Sequence, residues 1–468
     1  MRLRMRISGE RAAQASSAGA PLRASLFLIA LMGVAIPAAA QDVAPVVSPD
    51  RIEDSPSIKP DPYPDFDNFA WRAFIALNWP SLTDSAHRGI PDRAKQLGDK
   101  GPRVWETFKA RYELFQLGPD GLPVAPQPWA TYKAQNPCGA DVDNRAKTLA
   151  AFDPFMDFNQ SAFLPGVGAN PLVAQNRTYT RYEARINEAE YSALAESGWS
   201  LGENLPDPAH PAQLPIGSIA VKAAWRLLTA ADTPTVRARY YIVENANVVD
   251  VAKTLAAGHV VCSKSDVALV GLHIVIRTKD RPQGVWGTFE HVDNVPPAAA
   301  GEPDARQAGA PYSYFDASKP DLGLSPTFGL PDTLPVSMDH PPKIDPKPMQ
   351  VVRRHPIHAE TMAMNRAYWA LPEIKGTVWE HYMLVASQWP TIPRPAGPQN
   401  DGGYFPGQPL SPDAPRENYQ SADAPKENLV NTTIETYFQD PPSSCMSCHQ
   451  SVSNALGRDF VGMLGSFR

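Results

Sequence analysis

The residues with the clearest chemical logic are Cys445-Met446-Ser447-Cys448-His449. In a Cys-x-x-Cys-His pattern the two thiols add to haem vinyl groups as thioethers, and the adjacent imidazole ligates the iron. On a helical turn Cys445 and Cys448 stand at i and i+3 and His449 at i+4, so all three project from one face. Pro441 and Pro442 block a helix upstream, Ser443 or Ser444 can cap one that begins there, and Gly457 stands where it would end. The pattern predicts one covalent haem c, with Cys445 and Cys448 as attachment residues and His449 as an axial ligand.

Other chemistries fit these residues less well. A thioredoxin-type pair needs a surrounding βαβ unit, and only nineteen residues of the sequence follow His449. A structural zinc site needs four ligands, and the only other cysteines are Cys138 and Cys262. A plain disulfide between Cys445 and Cys448 leaves His449 without a role. Cys138 and Cys262 form a leftover even pair, for which a structural disulfide is expected.

With so little chain after the motif, the haem is expected to pack against the large domain upstream, which can supply a second axial ligand. His291 lies on a strand-like stretch and shares a face with Phe289 and Val285 by period two. His273 sits in an apolar strand, on the side of Leu269 and Val275. Met463 is fourteen residues past His449, and its thioether would raise the potential. For either histidine a hydrogen-bonded core role is the competing reading, and for Met463 simple packing is. His355 and His358 lack a third ligand and fit a surface or capping role. Zinc-protease, nucleophile-elbow, P-loop and dinucleotide fingerprints are absent from the sequence.

The elements that must position these groups are read from periodicity. Residues 1–40 form a basic start, an apolar run and Ala38-Ala39-Ala40 ahead of Gln41, the pattern of a cleaved secretory signal. A periplasmic or secreted protein is expected, with a flexible segment at 41–62. Removing residues 1–40 takes away five Arg and one Glu and moves the formal charge from −6 to −10. That charge argues against nucleic acid as a partner and is compatible with a basic redox partner. The apolar run at 267–276 is half of the roughly twenty residues a membrane span needs, so none is expected in the mature chain.

Helices are expected at 66–79, 104–117, 188–196 and 359–371, and strands at 178–186, 219–225, 238–243, 267–276, 285–292 and 377–387. No helices are read between the central strands, so the prediction is α+β: a mostly antiparallel core with peripheral helices. The chain has fifty prolines, and long Pro-rich connections are expected at about 294–350 and 390–427, the first wrapping the surface. One large domain over 63–427 is followed by a haem-attachment segment at 428–468 that packs on it.

Several stretches carry a family resemblance: FAWRAFIALNWP at 69–80, VWETFK at 104–109, GLHIV at 271–275 and TFEHVDN at 288–294. TVW at 377–379, QWP at 388–390 and NTTIETY at 431–437 then lead to the haem motif. In these the chain resembles large secreted bacterial proteins known as cytochrome c family proteins, which have a single C-terminal haem motif. The resemblance implies haem binding and export, and no particular substrate.

Single-electron transfer through a six-coordinate iron is the leading functional expectation. A peroxidase-like haem oxidoreductase, with an open iron position and His291 as acid–base, is the alternative. A haem-based sensor or binding module is a third.

Overall fold

A computed structural model describes residues 44–51, 53–56, 63–160, 163–164, 168–206, 214–281, 284–298, 311–319, 335–389 and 431–439. Its centre is an eight-stranded sheet. The strands are β1 (Lys109–Ala110), β2 (Thr148–Leu149), β3 (Arg181–Ile186), β4 (Ile219–Leu227), β5 (Ile242–Val249), β6 (Cys262–Ile276), β7 (Val285–His291) and β8 (Tyr382–Gln388). The main path runs β1-β3-β4-β6-β7-β8 and is antiparallel throughout. Strand β5 pairs antiparallel with the first half of β6, and β2 adds one parallel pairing to β5. With the helices described below, the protein is α+β.

One face of the sheet is closed by α1 (Tyr63–Leu77) and α3 (Ala359–Trp369). Helix α1 is buried nearly all round from Phe66 to Leu77, as a helix set between a sheet and a second helix must be. Trp71 stacks on Tyr368 with centroids 4.8 Å apart, and Phe74 stacks on Phe289 at 4.2 Å. The indole N–H of Trp71 donates to Asn365 Oδ1 at 2.9 Å, which satisfies the polar tip of a fully buried ring. A shorter helix, α2 (Glu188–Glu196), follows β3; Asn187 caps it by accepting from the Glu190 N–H.

Four sequence expectations are corrected. Residues 104–117 are not one helix. They form a 3-10 turn (Val104–Thr107), strand β1, a single helical turn (Arg111–Leu114) and a further short strand (Gln116–Leu117). The Glu113 carboxylate accepts the Ala110 N–H, and Lys109 and Ala110 are drawn into pairing with Ile186 and Arg185, so tertiary pairing overrides local propensity. The strand expected at 238–243 begins only at Ile242, because Thr233 caps a helical turn at Pro234–Arg237 that carries on as turns to Tyr240. The strand expected at 377–387 starts at Tyr382, after a 3-10 turn (Val378–His381) that Thr377 caps. The connection after residue 294 does not simply wrap the surface: Tyr314 and Val351 are fully buried in a core with Leu172, Tyr182 and Val270. Helix α3 and the strand ending at His291 fall close to where periodicity puts them.

Candidate functional site

The second face of the sheet, the polar face, carries a row of polar side chains beside the apolar cluster of Tyr182 and Val270. A cross-strand row places Ala184 of β3, Lys222 of β4, His273 of β6 and Thr288 of β7 side by side. Tyr182, Gly271 and Glu290 belong to the same face. His273 joins them because of a β-bulge between Leu269 and Gly271. One extra residue flips the alternation. Leu269 therefore packs in the aromatic core with Leu272, and His273 faces away from it, which corrects the expectation that His273 and Leu269 share a side.

Residues 431–439 lie across this face as a strap. The Asn431 amide donates to Thr288 Oγ1 at 3.0 Å and to the Phe289 carbonyl at 2.8 Å, while its Oδ1 accepts from the Thr433 N–H and hydroxyl. The Thr432 hydroxyl donates to Glu290 Oε2 at 2.7 Å, and Arg353 pairs with the same carboxylate at 2.7 Å. The Thr433 carbonyl accepts from Tyr182 at 2.7 Å. Gly271 permits the close approach: a Cβ there would lie 2.3 Å from Thr433 Oγ1. Beyond, the Tyr437 hydroxyl donates to the Pro171 carbonyl at 2.6 Å, and the Gln439 side chain bonds both the Val352 carbonyl and the Arg354 N–H at 2.9 Å. His355 Nε2 is 3.1 Å from the Gln439 carbonyl.

At the middle of the strap Glu435 meets His273. Glu435 Oε2 is 3.2 Å from His273 Nε2, close enough for an ion pair but at an angle poor for a hydrogen bond. It also accepts the Asn431 N–H at 3.1 Å. Burial acts to raise the Glu435 carboxyl, but His273, Lys222 and that N–H favour its charged form and hold it below its ordinary value. The Lys222 ammonium donates to the Gln160 carbonyl at 2.9 Å.

His291 is placed differently. Its Nε2 lies 3.0 Å from the Arg239 carbonyl, its Nδ1 accepts the Asp293 N–H at 3.1 Å, and its ring stacks on Tyr240 at 3.7 Å. Burial pushes it down to about 3, which keeps it neutral. Both ring nitrogens of His291 are thus engaged with backbone groups in this structure.

The protein matches no family model, no curated protein and no solved structure.

Cys138 and Cys262 are bonded to each other, with Cα atoms 5.3 Å apart. Cys445, Cys448, His449 and Met463 lie outside the described residues, as does the segment at 1–40. Among the described residues no group of three His, Cys, Asp or Glu is placed to hold a metal ion, and no helix is long and apolar enough to cross a membrane. His358 precedes α3, with its ring 5.4 Å from that of Tyr63.

Sequence reasoning missed Lys222 and Glu435. The available signal was one charge inside each of two otherwise uncharged runs, IAVKAAW and NTTIETYF. It also missed a buried charge network in which Lys147 pairs with Glu106 at 2.8 Å and with Glu183 at 2.6 Å, while Arg185 holds Glu183 at 2.6 Å. With each carboxylate answered by a cation, that network reads as a structural tie between β3 and the 3-10 turn before β1.

Proposed function

We propose that this chain is an exported carrier of single electrons, with one haem c bonded to Cys445 and Cys448 and ligated by His449. The observation that carries the reading is the Cys138–Cys262 disulfide. It uses the other two of the four cysteines, so Cys445 and Cys448 have only each other or a cofactor to bond. A structural disulfide also fits the oxidising compartment where thiols beside an axial histidine are used for haem attachment.

The strap adds a second support. Gln439 is fixed to Val352 and Arg354, and six residues of fully extended chain reach at most about 20 Å. A haem bonded at Cys445 would thus be tethered within that reach of Gln439. For a second axial ligand, the engaged nitrogens of His291 leave His273 and Met463 as the candidates. When bound, the haem supplies one-electron chemistry; the protein's part is to hold it, limit water around it and present its edge to a redox partner.

The test is expression of the exported chain in a host with an intact cytochrome c maturation system. A haem-stained band on a denaturing gel that is lost in Cys448→Ala is expected, with low-spin spectra in both redox states. Mature protein with only its apoprotein mass and no Soret band overturns the reading. High-spin spectra that shift with peroxide or carbon monoxide would replace electron transfer with a haem oxidoreductase.

A further inference from the structure

A cavity of about 290 Å³ opens beside the polar face, between the turn Arg111–Leu114, strands β2 and β3, and residues 150–160. Its volume is at the small end for small-molecule sites. Most of its wall is apolar, from side chains such as Ala110, Phe115, Leu117, Phe152 and Ala184.

Arg111 stands in this wall without an adequate partner. Among the described residues the only hydrogen-bond contact of its guanidinium is the thioether of Met156, a weak acceptor for a group with five N–H donors. No carboxylate among those residues lies within 4.0 Å of it. Burial pushes the guanidinium down to about 10, and the charge of Asp153 offsets this only in part.

The other charges at the cavity do not compete for a ligand in the same way. Glu183 is held by Lys147 and Arg185, and Lys222 by the Gln160 carbonyl. The oxygens of Asp157 are closed off from solvent, and the charge acting on them most is that of Arg181. Asp153 also lines the cavity and acts on Arg111 through its charge without an ion-pair contact, so Arg111 is the cation that the cavity offers.

We infer that this cavity binds a small monocarboxylic acid with an apolar body, its carboxylate held by the fork of the Arg111 guanidinium. A planar guanidinium matches a carboxylate in two parallel hydrogen bonds, and the apolar wall takes the remainder of the molecule. The site is independent of haem attachment.

Calorimetric titration of the full mature chain tests this with two series matched in size: octanoate, octan-1-ol and octylamine, and 3-phenylpropanoate with its alcohol and amine. The acid of at least one series is expected to bind roughly tenfold or more tightly than its alcohol and amine. Arg111→Gln is expected to remove that preference and Arg111→Lys to keep part of it. Ala184→Leu, which fills the cavity, is expected to weaken acid and alcohol alike. Circular dichroism checks the fold of each variant, and if Arg111→Gln fails to fold, the wild-type series and Ala184→Leu decide. No binding by any probe, an amine bound more tightly than its acid, or an acid bound equally well by folded Arg111→Gln overturns the inference.

Discussion

Glu435 and His273 sit 3.2 Å apart, and this contact joins the strap that runs toward Cys445 to the longest strand of the sheet. The carboxylate gains more from His273, Lys222 and the Asn431 N–H than burial takes away, so it stays ionised below its ordinary value of 4.5. A carboxyl lowered on folding stabilises the protein above its unfolded value, and the contribution is lost as pH falls through the folded value. Glu435→Gln is therefore expected to cost about 1–2 kcal/mol near neutral pH. Urea unfolding at pH 7 and pH 3 checks this, and the gap between wild type and variant should narrow in acid.

Gly271 is the position where the strap comes closest to the sheet. An added Cβ would meet Thr433 Oγ1 at 2.3 Å and Asn431 Oδ1 at 3.1 Å, so the strap must shift and loosen bonds that hold its buried polar groups. Gly271→Ala is expected to lower stability by about 2 kcal/mol or more. Limited proteolysis should show faster cleavage around residues 431–439 than in wild type, and an unchanged cleavage rate would count against the strap's role.

The Cys138–Cys262 disulfide closes a sequence separation of 124 residues, and its loss frees a long loop in the unfolded chain. Replacing both cysteines by serine is expected to cost about 2–5 kcal/mol. Thermal unfolding of the double variant, compared with wild type with and without reductant, checks it; reductant should move wild type only.

His291 gives a second pH dependence. Burial lowers it from 6.5 to about 3 against the opposing pull of Asp293. The unfolded imidazole takes up a proton below 6.5 while the folded one does not until about 3, so stability falls as pH drops through that window. The loss is on the order of 5 kcal/mol for a fully shifted group. Replacement by Gln removes the titrating ring, and stability measured from pH 7 to pH 4 should then fall less steeply than in wild type.

Local residue chemistry determined a good deal by itself. Periodicity over 66–79 and 359–371 marked the two helices found at Tyr63–Leu77 and Ala359–Trp369, and β-branched runs marked the central strands, because helix and strand burial follow fixed periods along the chain. The spacing of Cys445, Cys448 and His449 defined a haem-attachment pattern, and the count of cysteines left Cys138 to pair with Cys262. Only the tertiary structure decided which way the histidines point. A bulge at Leu269/Gly271 turned His273 onto the polar face, and backbone groups of Arg239 and Asp293 occupied both nitrogens of His291. Nor does local sequence bring Glu435 to His273 or empty the space around Arg111. Those relations join residues far apart in the chain, and they exist only once strands from distant segments settle into register.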